Sequence, residues 1–139
     1  MPDQYRAMVY LTGALGLRWS EVAGLRVGGL DLLRRKLTVT ETLAEVRGSL
    51  QFGDVKTKAA RRTLDIPPFL VGMLAEHLAT RGVTAEDPSA LVFVSAEGHP
   101  LRASHFRTRT WAPAVKAAGL GDGFTFHHLR HTAVGFPSF

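Results

Sequence analysis

The apolar residues Tyr5, Met8, Val9, Leu11 and Leu15 recur at roughly helical spacing, and Gly16 stands where a left-handed C-terminal cap belongs. The pattern predicts a first helix that ends near Leu15. After a two-residue turn, Ser20 is a suitable N-cap for a short second helix over residues 21–25, which breaks at the Gly28-Gly29 pair and leaves Arg18 in the turn between the helices. From Lys36 to Ile66 the period changes to two, through "KLTVTETL", "SLQFGDVK" and "RRTLDIP". This predicts a three-stranded antiparallel meander whose second hairpin is "VKTKAARRT", with Lys56 ending one strand and Arg61 and Arg62 entering the next. A third helix follows, with Phe69, Leu70, Met73, Leu74, His77 and Leu78 on its core stripe. "LVFVS" suits a short extended piece and "SAEGHP" a turn. Ser104 suits the cap of a helix running through Trp111 to Ala118, disturbed at Pro113 and stopped at Gly119. The last element begins near Thr125.

These elements describe an α+β fold, mostly helical with a three-stranded antiparallel sheet. No internal repeat, low-complexity run or linker divides the chain, so residues 1–139 read as one domain. A composition that is 45% hydrophobic can bury a core at this length.

Charge narrows the partners. Lys and Arg outnumber Asp and Glu by 17 to 12, and thirteen of the seventeen are Arg, the side chain suited to bidentate contacts with phosphate or carboxylate. There is no cysteine, which excludes disulfides and thiolate zinc sites and fits the cytoplasm. Asp3 and Arg6 interrupt the N-terminal apolar stretch, so neither a signal peptide nor a membrane span is expected.

The tail "FTFHHLRHTAVGFPSF" concentrates candidate chemistry. With Thr125 as N-cap, His127 and Arg130 are i, i+3 neighbours on one helical face, and His131 lies one turn beyond His127. Imidazole and guanidinium in a first turn, beside free backbone N–H groups, make a place for a phosphate. Two plainer readings stand beside it. The histidines can be ordinary helix-start residues and Arg130 a surface charge, or His127 and His131 a metal pair, although His128 occupies the place where a zinc-protease motif needs Glu. Taken singly, Arg18 can cap a helix end or pair with Glu21. Lys56, Lys58, Arg61 and Arg62 can be a solvated hairpin tip.

Four stretches in order, "TGALGLRWSEVAGLRVGGLDL", "VKTKAARRTLDIP", "FRTRTWAPAVKAAGL" and "FHHLRHTAV", resemble the catalytic domain of the tyrosine recombinases, the phage integrase family. The likeness runs through nearly the whole chain. It implies catalytic roles for Arg18, Lys56, His127 and Arg130, with Glu21 and His131 supporting and with Lys58, Arg61 and Arg62 as DNA contacts. The second position of the family's His-x-x-Arg box is commonly Asp, and here it is His128. In that family a tyrosine hydroxyl attacks a DNA phosphodiester, without metal, nucleotide or other cofactor, so the implied function is site-specific DNA recombination and integration. The implied partners are double-stranded DNA and a full-length recombinase or other subunits.

The family pattern continues to a second His or Trp and then to the nucleophilic tyrosine, whereas the tyrosines here are Tyr5 and Tyr10, ahead of Arg18. Gly135 and Pro137 also break the last helix. The expectation is therefore a partial catalytic domain without the preceding core-binding domain or the nucleophile segment, inactive alone. The alternatives are a non-catalytic DNA-binding or recombinase-modulating module and an inert remnant.

Overall fold

The structure, a computed structural model, describes residues 3–55, 61–121 and 123–135, with the backbone alone for residues 3 and 131–135. A 3-10 turn, Asp3–Tyr5, leads into helix α1, Arg6–Leu15. Gly16 closes it with φ 71°, donating its N–H to the Thr12 carbonyl at 2.9 Å. Helix α2 spans Trp19–Ala23 and begins earlier than Ser20 implies. Arg18, not Ser20, occupies the N-cap position, because the acceptor comes from within the helix: the Glu21 carboxylate takes the Arg18 N–H at 2.8 Å. This is the reach-back half of a capping box.

The sheet has three strands, but it is not the expected meander. Strands β1 (Leu30–Asp31), β2 (Lys36–Val39) and β5 (Arg62–Asp65) form it in the order β1-β2-β5, while β3 (Glu41–Val46) and β4 (Ser49–Asp54) make a separate hairpin. Arg47 and Gly48 both have positive φ at that hairpin's tip, as a tight two-residue turn requires. Only Thr40 separates β2 from β3, and β4 runs antiparallel along β3 while β5 runs antiparallel along β2. Glu41 faces Asp54 and Val39 faces Arg62, so two steps on one side correspond to eight on the other. Residues 56–60 of the expected hairpin "VKTKAARRT" lie outside the described residues; the strands on either side, β4 and β5, pair with β3 and β2 respectively. Arg61 Nε donates to the Val55 carbonyl at 3.2 Å, which brings the two flanks of that segment together.

Helix α3, Pro68–Arg81, matches the apolar stripe, burying Leu70, Leu74 and His77, and Gly82 caps it with φ 73°. Phe69 lies on the exposed side instead. Leu91 forms one bridge to Arg26 without making a strand, and a turn follows over Ser95–Gly98. Helix α4 (Ala103–Phe106), a π turn (Arg107–Trp111) and α5 (Ala112–Ala117) form one helical run. The π turn ends two residues before Pro113, where widening relieves the missing amide hydrogen and the ring clash. Ser104 is in the first turn rather than at the cap. Its N–H and hydroxyl donate to Glu45 of β3, at 3.1 and 3.0 Å, which ties the hairpin to this helix.

One continuous core binds these layers. Met8, Leu11, Val22, Leu37, Leu70, Leu74, Val92 and Phe93 are fully buried between α1, α2, the sheet and α3. Trp19, Phe106, Trp111 and Phe126 form an aromatic group with centroids 4.9 to 6.4 Å apart, and Trp111 Nε1 donates to the Phe124 carbonyl at 2.9 Å. Trp111 is thus a core residue. Gly24 is the point of closest approach between α2 and β3, where an added Cβ would lie 2.7 Å from the Leu43 nitrogen.

Candidate functional site

Three of the four motifs converge on the short connection between α1 and α2. Because Gly16 ends α1 in the left-handed conformation, Leu17 turns into the core and Arg18 turns outward, exposed, at the N-cap of α2. The last segment is a 3-10 helix, Phe126–Gly135, packed against α1. From it Arg130, half-buried, donates Nε to the Gly16 carbonyl at 3.0 Å. The acceptor, Gly16, lies two residues before Arg18 in the chain.

The start of the 3-10 segment is not capped by Thr125, as the sequence suggests. His128 caps it instead: its Nδ1 accepts the Thr125 N–H at 2.9 Å, and its own N–H donates to the Thr125 carbonyl at 3.0 Å. An imidazole acceptor does here what a carboxylate can do at a helix start. It fixes the tautomer with the proton on Nε2. His127 is exposed, and residues three apart eclipse in a 3-10 helix, so His127 and Arg130 share an edge. The side chain of His131 lies outside the description.

On the other side of Arg18, Glu21 is 8% exposed and its two carboxylate oxygens accept from both terminal nitrogens of Arg62, at 2.6 and 2.9 Å. Burial pushes the Glu21 carboxyl up, but the hydrogen bonds from Arg62 and the Arg18 amide, with both positive charges, outweigh it and hold the group below its ordinary value. The same hydrogen bonds raise the Arg62 guanidinium above its ordinary value against burial. Alternation along β5 turns Arg62 inward with Leu64, while Thr63 and Asp65 face out. That phase is readable in "RRTLDI", although the resemblance makes Arg62 a DNA contact. Arg61 is exposed. Lys56 and Lys58 fall outside the described residues.

Arg18 and His127 are exposed, and Glu21 also lines a concavity of about 350 Å³ with Gly24, Arg26 and Glu41. A cavity of about 770 Å³ elsewhere, lined by Gln4, Arg6, His77 and Arg81, contains none of these residues. Among the described residues, no group of three His, Asp or Glu is placed to hold a metal ion, and no helix is long and apolar enough to cross a membrane.

Comparison with known proteins gives this arrangement its context. Residues 2–134 match the model of the phage integrase family. The chain belongs to that family. It is 31% identical over 135 residues to an integrase of Mycobacterium phage D29, covering 96% of this chain and 35% of that protein. An integrase of Mycobacterium phage FRAT1 is 30% identical over 135 residues, of which this chain spans 39%. The chain therefore spans little more than a third of these phage integrases. Its fold is similar to part of the Tn1549 transposon integrase, solved with transposon right end DNA: the TM-score is 0.81 at 21% identity, over 94% of this chain and 45% of the other. The integrase motifs read from the sequence thus sit on an integrase fold.

Proposed function

We propose that this chain forms the phosphate-gripping part of a tyrosine-recombinase catalytic domain, acting on double-stranded DNA in the cytoplasm in site-specific recombination. The observation that carries the reading is the Arg130–Gly16 hydrogen bond, which brings the guanidinium of the His-x-x-Arg box beside the turn that presents Arg18. Two guanidinium groups so placed can hold the two non-bridging oxygens of a phosphodiester as charge builds in the transition state. Each such donor is worth about 100- to 1,000-fold in rate. His127, exposed on the same segment, orients the phosphate or assists proton transfer, and Lys56 protonates the leaving 5′-oxygen, a contribution of about 100- to 10,000-fold.

The reaction forms a bond from a tyrosine oxygen to phosphorus and breaks the phosphorus–5′-oxygen bond, leaving a 3′-phosphotyrosine and a free 5′-hydroxyl. Tyr5 is buried edge-on against Phe106, and Tyr10 packs against Phe69 of α3. Neither serves as the nucleophile in this proposal. The attacking hydroxyl comes from a tyrosine outside these 139 residues, in another stretch of chain or another subunit.

The test is a duplex-binding titration followed by a nicked suicide substrate. Binding should have a dissociation constant of roughly 1–100 μM near physiological salt and weaken steeply as salt rises. The chain alone should form no covalent adduct. Salt-independent binding, or an adduct abolished by Tyr10→Phe, would overturn the proposal.

A further inference from the structure

Arg62 has two features that a DNA-contacting arginine does not need. It points toward the core side of β5, and both its terminal nitrogens are consumed by one carboxylate that is itself buried. Glu21, three residues after Arg18, already holds the Arg18 backbone N–H. A carboxylate at i+3 is also within reach of the Arg18 guanidinium. Yet that guanidinium is exposed and makes no ion pair among the described residues.

We infer that Arg62 is a positioning residue: by saturating both oxygens of Glu21 it keeps the Arg18 side chain out of a direct ion pair and turned outward, available to a phosphate. The use of that freedom rests on the proposed function above, but the competition itself does not. A buried carboxylate left without Arg62 must find another cation. Arg18, already attached to it through its amide, is the near one on the same helix, and pairing would neutralise the charge the substrate needs. Glu21 is thereby a support for the Arg18 backbone and, without Arg62, a competitor for the Arg18 side chain.

Arginine-specific labelling reads this without DNA. Wild type, Arg62→Met, Arg62→Lys and the double variant Glu21→Gln/Arg62→Met are treated with phenylglyoxal, and modification of Arg18 is followed by mass spectrometry with exposed Arg35 as internal reference. Circular dichroism confirms the fold of each. Arg62→Met keeps the aliphatic stem but no donor, and the double variant removes the orphaned carboxylate as well.

In wild type Arg18 should react at the rate of Arg35. In Arg62→Met it should slow about fivefold, the population withdrawn by an ion pair of about 1 kcal/mol. In the double variant it should recover, because the neutral amide that replaces the Glu21 carboxylate has no charge with which to capture it. Arg62→Lys, which leaves one oxygen incompletely satisfied, should slow it by less; should Arg62→Met fail to fold, this variant decides. An Arg18 rate unchanged by both Arg62 substitutions, or one that stays slow in the double variant, overturns the inference. Failure of wild-type duplex binding with the labelling pattern intact would instead overturn the proposed function alone.

Discussion

Arg130 and Gly16 lie 114 positions apart in the chain, and the Nε of one donates to the carbonyl of the other at 3.0 Å. The acceptor belongs to the cap that ends α1, so the bond fastens the last segment to the turn that carries Arg18. Hydrogen bonds from charged donors are worth about 1.5–3 kcal/mol, and Arg130→Ala should lower stability by that amount in urea unfolding. Arg130→Lys should not restore it, since an ammonium offers neither the Nε geometry nor a second face for phosphate.

The aromatic group under the same segment makes a second anchor. Phe126 is buried, edge-on to Trp19 at 5.2 Å, to Phe106 at 5.5 Å and to Trp111 at 5.4 Å. Phe126→Ala should cost about 3–5 kcal/mol. It should also weaken duplex binding more than Phe124→Ala, because Phe126 holds both the box segment and α2. Thermal unfolding and binding titrations on the two variants give the comparison.

Stability should fall in two steps as pH is lowered. Burial holds the His77 imidazole below its ordinary value of 6.5, with the Val92 carbonyl hydrogen bond only partly opposing it. The neutral form is favoured by folding, so its contribution is complete above about 6.5 and is lost as pH falls from there toward the lower folded value. Glu21 is likewise depressed from 4.5, so its contribution is complete above about 4.5 and is lost as pH falls through its folded value. Urea midpoints between about pH 3 and 8 should show His77→Leu flattening the upper window and Glu21→Gln the lower one.

Close backbone approach makes a fourth prediction. A Cβ on Gly24 would meet the Leu43 nitrogen at 2.7 Å and the Thr42 carbonyl carbon at 2.8 Å, both backbone atoms that cannot rotate away. Gly24→Ala should destabilise by about 1–3 kcal/mol through forced separation of α2 from β3. Gly72→Ala, on the open side of α3 with nothing within 4 Å, should be neutral or stabilising in the same melts.

How much of this was legible depends on the range of the interaction. The Gly16 cap, the α3 stripe and the Ser95–Gly98 turn are local or periodic signals, and the sequence carries them. The strand pairing is not local. Alternation runs on from Lys36 to Val46 with only Thr40 between two strands that pair with different partners, and β1 is two residues long, too short for a period. The capping of α2 by Glu21 and of the tail by His128 replaced the Ser20 and Thr125 caps because longer side chains reach back from inside each helix. The pairing of Arg62 with Glu21 spans 41 positions. Phase could show that Arg62 faces inward, but only the fold shows what it meets there.

In the proposed function Arg18 and Arg130 grip DNA phosphate together. The most direct measurement is the salt dependence of duplex binding by fluorescence anisotropy for wild type, Arg18→Ala, Arg130→Ala and the double variant. Each lost phosphate contact should reduce the slope of log affinity against log salt by about 0.9, and the double variant by about twice that. Slopes and affinities equal to wild type in both single variants would contradict the account.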